Sequence, residues 1–362
     1  MRAVADTEAT QGQLLPTPHE GLPSRKPMEL SGALDRFSYF DVTPTIGREF
    51  PDVDLRAWLE SPDSDTLLRD LAITVSQRGV VFFRKQDRLD DSLQKEIVQR
   101  LGELSGKPST SGLHVHPFFN AGLPFGGVDN EIDVVSTEQD RAVFGAPPKF
   151  TKRQSASKEW HTDIAHEIVA SDYAMLRLIE LPTNPGGDTL WASGYELYDR
   201  ISKPYQKFLE GLTATFVQPS YERVRKQFNH ELYTRPRGSP DNVGSEFVAV
   251  HPVIRTNPVT GWKSLYAVGN HIQHINDLEK DESDAILQWF TRLITANHDL
   301  QVRYRWQNPN DIALWDNRCV FHAATKDVDI NDKRVGHRAM GVGERPYLDP
   351  KSTSRRESLG LL

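Results

Sequence analysis

The sequence predicts a mainly β fold, a β-sandwich or jelly roll that carries flanking helices. Many short apolar segments have the length of strands, and the helical patterns gather near the start and in the middle of the chain. Residues 36–350 contain no segment with the composition of a linker and no internal repeat. A chain of 362 residues can bury a large core, so a single domain is the simplest organisation.

Three segments show the periodicity of amphipathic helices. Residues 64–77 carry leucines and a valine at helical spacing, and Gly79 follows as a stop signal. Residues 93–101 resume the pattern. The clearest helix is predicted at residues 278–296, where large apolar side chains gather on one side.

Short apolar stretches predict the strands. A hairpin is predicted within residues 253–266, where Asn-Pro and Thr-Gly pairs supply the turn. The other predicted strands are residues 80–83, 132–135, 174–179, 213–217, 247–254, 301–305, 311–315 and 338–342.

The two ends of the chain differ from this body. Residues 1–35 are polar and contain four prolines, which predicts a disordered lead-in, and residues 351–362 resemble a loose tail. The start lacks the apolar core of a signal peptide, and no stretch is apolar enough to span a bilayer. We therefore expect a cytoplasmic protein with no membrane partner.

Charge and cysteine content exclude several classes of protein. The formal net charge of −7 and a pI near 6.0 give no support for a nucleic-acid partner. The single cysteine, Cys319, excludes an internal disulfide and suits a reducing compartment. A metal site within one chain must therefore use mainly nitrogen and oxygen ligands.

A candidate metal site combines His161 and Asp163 with the distant His322. On a strand, residues two apart point to one face, so the first two side chains can reach a common ion. Two histidines and a carboxylate are the ligands of the facial triad, which suits Fe(II). The alternative is that the three are unrelated polar groups, because a His-x-Asp tripeptide alone is common.

Two arginines and a glycine-rich turn favour the metal site over the interpretation as unrelated polar groups. Arg334 and Arg338 are four residues apart, so both face one way on a strand, with Gly336 between them. Two such charges in one cavity need anions, which a co-substrate and an acidic substrate would supply. The alternative is a solvated arginine pair. After the Gly-Gly turn near residue 186, Thr189 offers a hydroxyl to an anion.

These motifs, in this order, resemble those of the taurine dioxygenase family over residues 40–347. The resemblance implies a double-stranded β-helix, a cupin-like jelly roll, and an Fe(II)/2-oxoglutarate-dependent dioxygenase that uses O₂ and releases succinate and CO₂. By resemblance, iron is bound by His161, Asp163 and His322, and the far carboxylate of 2-oxoglutarate is bound by Arg334 and Thr189. Members often form dimers or tetramers, which allows a homo-oligomer here.

The resemblance also implies substrate contacts. The motifs are most like those of the fungal sulfonate dioxygenases of the family. The Leu-His-Val-His-Pro segment matches, so His116 and Arg338 are the candidates for binding a small anionic substrate. Phe119 replaces a tyrosine of the taurine enzymes, and His271 stands near a position where an apolar aromatic is usual. These two departures argue against taurine itself. Alternatives are a small carboxylate substrate, such as an amino acid or aryloxyacetate, or a catalytically silent ligand-binding protein.

Overall fold

The computed structural model describes residues 25–118, 127–144, 159–325, 327–329 and 332–361. Within them fifteen strands occur: β1 Phe40–Asp41, β2 Arg48–Phe50, β3 Val80–Phe83, β4 Asp133–Ser136, β5 Ser171–Glu180, β6 Thr189–Ser193, β7 Thr213–Val217, β8 Val248–Pro252, β9 Ile254–Thr256, β10 Lys263–Leu265, β11 Ile272–Ile275, β12 Gln301–Tyr304, β13 Ile312–Asp316, β14 Val320–Ala324 and β15 Val335–Val342.

Nine α-helices accompany the strands in the same described residues. They are α1 Leu55–Glu60, α2 Ser64–Arg78, α3 Asp91–Leu104, α4 Thr137–Phe144, α5 Gly194–Asp199, α6 Lys203–Leu209, α7 Ser220–Phe228, α8 Lys280–Ala296 and α9 Arg355–Ser358. None of them combines the length and the apolar composition that a membrane-spanning helix needs.

Two sheets form the centre of the molecule. The larger has seven strands in the order β1-β2-β3-β13-β5-β15-β4, and the smaller has three in the order β12-β6-β14. All pairs in these sheets are antiparallel except β2 with β3. A further three-stranded sheet, β11-β7-β8, and the hairpin of β9 and β10 lie outside them.

Alternating side chains on each strand separate the core into layers. On β3, Val80 and Phe82 enter the cluster that also contains Trp191 of the smaller sheet. Val81 and Phe83 of the same strand enter the cluster formed with α1, α2 and α3. Because successive residues of a strand point to opposite faces, the first cluster lies between the sheets and the helices cover the outside.

A third apolar cluster covers the other face of the smaller sheet. Ala192 of β6 and Phe321 of β14 pack there with Phe290 and Ile294 of α8. The amphipathic helix predicted near the middle of the chain therefore has a sheet to cover. The arrangement confirms a mainly β fold with flanking helices.

Most predicted elements are present with small shifts at their ends. The first predicted helix is α2, which ends before Gly79, where φ is +76°. The strand predicted at 213–217 coincides with β7, and the predicted hairpin is β9 and β10. The strand β14 was not predicted, because its sequence Val-Phe-His-Ala-Ala shows no clean alternation of apolar and polar residues.

Both ends of the described chain contact the body. The backbone amides of Ser31 and Ala33 donate to the carboxylate of Asp70 at 3.0–3.1 Å. At the other end, Arg355 and Arg356 each bond to Glu196. The domain boundaries at residues 35 and 350 stay predictions.

Candidate active site

Three side chains from two distant parts of the chain meet inside the sandwich. His161 and His322 pair as an isolated antiparallel bridge, with N···O distances of 3.1 and 2.8 Å. Their ring centres lie 4.2 Å apart, and Nε2 of His322 lies 3.8 Å from Oδ1 of Asp163. One nitrogen or oxygen from each residue lies within 4.8 Å of the others. The spacing is that of ligands around one metal ion.

The strand β14 directs His322 toward this point. Its neighbours Phe321 and Ala323 pack in the outer cluster under α8. Since side chains alternate along a strand, His322 points into the space between the sheets, where its ring lies 5.0 Å from that of Trp315. Pairing of β14 with β6 places His322 opposite Trp191.

The turn after β13 holds the other two residues in place. Oγ1 of Thr162 donates to the carbonyl of Asn317 at 2.7 Å, and the amide of Asp163 donates to Oδ1 of Asn317 at 3.1 Å. Asn317 is itself fixed, because it accepts from Nε1 of Trp315 and donates to Oγ of Ser171, both at 3.0 Å. The Trp-Asp-Asn motif therefore positions the metal-ligand loop.

One local prediction about this loop is wrong. His161 and Asp163 do not share a strand: His161 forms a single bridge, a turn follows, and Ile164 has a left-handed φ of +44°. Thr162 nevertheless turns away toward Asn317. His322 lies on β14, the strand that was not predicted.

The surroundings of His161, Asp163 and His322 suit metal ligands. Nδ1 of His161 donates to the carbonyl of Glu159 at 2.7 Å, so Nε2 is the ring nitrogen that can face a metal. Burial, then the charge of His161, lowers the pKa of His322 to about 3, so its imidazole is neutral. Burial would raise the pKa of Asp163, but Arg338 holds it below the usual value.

The residues present fit a ferrous ion. Oδ2 of Asp163 and Nδ1 of His322 are buried and have no hydrogen-bond partner among the described residues. A buried carboxylate oxygen without a partner is costly unless a cation neutralises it. Two imidazoles and one carboxylate, without sulfur, match the ligand preference of Fe(II).

Arg334 is buried, and its guanidinium forms no ion pair with a carboxylate of the described residues. Its Nε donates to the carbonyl of Gly187 at 3.2 Å. Burial lowers the pKa of Arg334 to about 10, although the charges of Asp140 and Asp188 oppose the shift. A Cβ on Gly187 would lie 2.8 Å from Cδ and Nε of Arg334, so only glycine leaves room here. A buried guanidinium in this state favours an anionic ligand.

Thr189 begins β6 on the same side of the smaller sheet as Trp191. Its Oγ1 accepts from Nε1 of Trp306 at 3.2 Å, so the hydroxyl proton stays available to an acceptor. Thr189 and Arg334 both adjoin the turn at Gly187, which is the arrangement expected for residues that hold one carboxylate.

Arg338 contacts the candidate metal ligands directly. Its Nη1 donates to Oδ1 of Asp163 at 2.7 Å, and its Nη2 donates to Oδ2 of Asp133 at 3.0 Å. Asp133 lies on β4 directly opposite Arg338 on β15. Burial raises the pKa of Asp133 to about 6, against the opposing effect of Arg338. At neutral pH the buried pair is therefore ionised.

The two arginines differ in their surroundings more than the sequence predicts. Arg334 precedes β15, and a register shift separates Val335 from Gly336. Arg334 contacts a backbone carbonyl, whereas Arg338 already bonds to two carboxylates. The prediction that both arginines lie on one strand is wrong, because β15 begins at Val335.

His116 is buried beside Arg338 and is already hydrogen-bonded. Its Nδ1 accepts from the amide of Phe118 at 3.0 Å, so the ring proton is on Nε2, which lies 3.2 Å from the hydroxyl of Tyr221. Burial, then the charges of His114 and Arg338, lowers the pKa of His116 well below its usual value. The imidazole is therefore neutral.

His271 lies next to the candidate ligands. Its ring centre is 5.9 Å from that of His161 and 5.0 Å from that of His166. Burial, then the charge of His161, lowers the pKa of His271 to about 3. Phe119, the fourth predicted substrate residue, lies outside the described residues.

Four further residues around the site were not assigned to it from the sequence. His114 and His166 are buried, and neither ring nitrogen of either has a hydrogen-bond partner among the described residues. Tyr221 lies 5.4 Å from His166, ring centre to ring centre. Asp133 has no motif around it, so only its pairing with β15 connects it to the site.

A jelly roll in which two imidazoles and a carboxylate converge defines the class of Fe(II)- and 2-oxoglutarate-dependent dioxygenases. Residues 38–340 match the model of the family described as taurine catabolism dioxygenase TauD, TfdA family. The chain belongs to this family, and its cofactors are Fe(II) and 2-oxoglutarate.

Comparisons with individual proteins agree with this assignment. The chain is similar to the alpha-ketoglutarate-dependent dioxygenase btcD of Neocamarosporium betae, with 56% identity over 92% of this chain and 98% of the relative. It is 30% identical to the alpha-ketoglutarate-dependent sulfonate dioxygenase of Saccharomyces cerevisiae, over 86% of this chain and 68% of the yeast protein. A crystal structure of a putative alpha-ketoglutarate-dependent taurine dioxygenase from Burkholderia xenovorans shows the same fold, with a TM-score of 0.65. The match covers 88% of this chain and 96% of that chain, at 23% identity. The predicted jelly roll is thereby confirmed.

Proposed function

We propose that this chain oxidises a C–H bond of a small organic substrate that carries an acidic group, a sulfonate or a carboxylate. The observation that supports this most is the position of Arg338, whose Nη1 lies 2.7 Å from the carboxylate of Asp163. A guanidinium directly beside the metal ligands can hold an acidic head group while the carbon chain lies next to the iron.

In this proposal, His161, Asp163 and His322 bind Fe(II), which with 2-oxoglutarate supplies the oxidising chemistry and yields succinate and CO₂. Arg334 and Thr189 bind the far carboxylate of 2-oxoglutarate. The buried cation at Arg334 supports this role, since no carboxylate of the described residues pairs with it.

The remaining residues orient the substrate and exclude water. Arg338 binds the acidic group, and His116 and His271 line the space beside it. Burial of His114, His116 and His166 supports a closed site in which the reacting carbon is kept from bulk solvent. Two readings of the acidic group compete: the similar yeast protein is named for sulfonates, whereas Arg338 suits a carboxylate equally well.

A paired screen separates the two head groups. Purified protein with Fe(II), 2-oxoglutarate and ascorbate is given matched sulfonates and carboxylates, and succinate and sulfite are measured. Sulfite release above the rate without substrate supports a sulfonate, and succinate formation with carboxylates alone supports a carboxylate. If no substrate of either class stimulates succinate formation, the proposal fails and a silent ligand-binding protein is favoured.

A further inference from the structure

Asp133 bears on which acidic substrates the proposed site accepts. It pairs with Arg338 at 3.0 Å, and only 6% of its side chain is exposed, against 19% for the side chain of Arg338. The positive charge of Arg338 is thus compensated before any substrate arrives. A head group that binds Arg338 also comes within reach of this carboxylate.

The other basic groups near Arg338 provide no spare positive charge. His114, His116 and His166 all have pKa values lowered chiefly by burial, so their rings are neutral at pH 7. Arg237, whose charge also acts on these histidines, forms a buried two-point pair with Glu167 at 2.6 and 2.9 Å.

The charges of the loaded site are also balanced. A ferrous ion and Arg334 bring three positive charges, and Asp163 with the two carboxylates of 2-oxoglutarate brings three negative ones. A substrate with a single negative charge would leave one charge uncompensated in a buried site, which is costly. A substrate without net charge adds none.

We infer that the substrate head group is a zwitterion, whose acidic group binds Arg338 while its ammonium group binds Asp133. This inference rests on the proposed function and narrows it to amino acids in the broad sense, including aminosulfonates. The two binding groups are adjacent, so an ammonium and an acidic group within a few bonds of each other can reach both. Asp133 then selects the substrate by its charge.

The test compares ligands that differ only in the ammonium group. β-Alanine is compared with propionate, and 3-aminopropanesulfonate with propanesulfonate, by calorimetry on the protein loaded with Fe(II) and 2-oxoglutarate without oxygen. We expect each zwitterion to bind about ten-fold or more tightly than its partner, the effect of one charge-assisted bond. The inference is overturned if both monoanions bind as tightly as the zwitterions, or if neither zwitterion binds at millimolar concentration.

Two variants assign the preference to Asp133. Asp133→Asn should remove the preference for the ammonium group or reverse it, whereas Asp133→Glu should retain it. Asp91→Asn is the matched control, because Asp91 bonds to Arg177 and to His337, the neighbour of Arg338, from the outer face of the sheet.

An unchanged preference in Asp133→Asn overturns the inference. If Asp133→Asn does not fold, the comparison of ligands on the unaltered protein still decides. Succinate formation with the monoanions alone would contradict the inference while supporting the proposed function.

Discussion

The carboxylate of Asp163 has a different environment at each oxygen. Oδ1 accepts a bond from Arg338, whereas Oδ2 is buried with no partner among the described residues. This asymmetry suits a ligand that gives one oxygen to the metal while the other is held by the protein.

Substitution of this side chain tests its role. Asp163→Ala should abolish iron-dependent succinate formation and leave the fold largely intact, because Arg338 keeps Asp133 as a partner. Activity assays and circular dichroism measure the two effects. Asp241→Ala, which breaks an exposed pair with Arg345, is the control. Full activity in Asp163→Ala would remove the residue from the ligand set.

The two arginines should divide binding of the co-substrate and the substrate. Arg334→Gln should raise the KM for 2-oxoglutarate by about 10- to 100-fold, as expected when a charge-assisted bond worth about 1.5–3 kcal/mol is lost. Arg338→Gln should change that KM little but uncouple succinate formation from substrate oxidation. Steady-state kinetics of both variants measure the split, and an equal loss of both functions would show that the roles are not separate.

At the scale of elements, the end of α2 packs closely against the start of β14. Gly79 ends the helix at a φ of +76°, and a Cβ there would lie 2.6 Å from Cγ1 of Val320. Val320 is two residues before His322 on β14. The glycine therefore permits close packing of the strand that carries a candidate ligand.

Gly79→Ala should destabilise the protein more than the loss of backbone freedom alone predicts. We expect about 1–3 kcal/mol, because positive φ and a steric overlap add together. Gly244→Ala is the matched control, since its φ is +81° and nothing lies within 4 Å of the added Cβ. Denaturant unfolding measures both variants, and equal destabilisation would mean that the contact with Val320 does not matter.

The elements also show how far the sequence predicts this molecule. Local periodicity predicts α2, β7 and α8, because burial of one face leaves its pattern in neighbouring residues. The same signal fails for β14, and nothing local reveals that Asp133 faces Arg338 across a strand pair. The order of motifs predicts the convergence of His161, Asp163 and His322, but the sequence does not predict the turn that joins the first two.

For the molecule as a whole, buried neutral histidines should govern stability in acid. Burial is the main cause that lowers the pKa of His114 and of His251 to about 3, from an ordinary value of 6.5. The unfolded chain binds protons at these residues below pH 6.5, whereas the folded protein does so only near pH 3. Stability should therefore fall as the pH drops from 6.5, by up to about 1.4 kcal/mol per pH unit for each such histidine. The raised pKa values of three carboxyl groups, Asp133, Asp172 and Asp199, act in the opposite direction, but six histidines have lowered pKa values.

Unfolding by denaturant at pH 7, 6 and 5, on metal-free protein, measures this slope. His251→Gln should reduce the slope, because it removes one buried titrating group, whereas His298→Gln, at an exposed position, should not. A stability that does not change between pH 7 and pH 5 would contradict the expected neutral state of the buried histidines.

The most direct test of the active site counts ferrous ions bound per chain in the absence of oxygen, for the unaltered protein and for His322→Ala. Convergence of His161, Asp163 and His322 on one ion predicts one ion per unaltered chain and almost none in the variant at the same free iron concentration. A variant that still binds one ion with unchanged affinity would contradict the assignment of His322 and, with it, the proposed iron site.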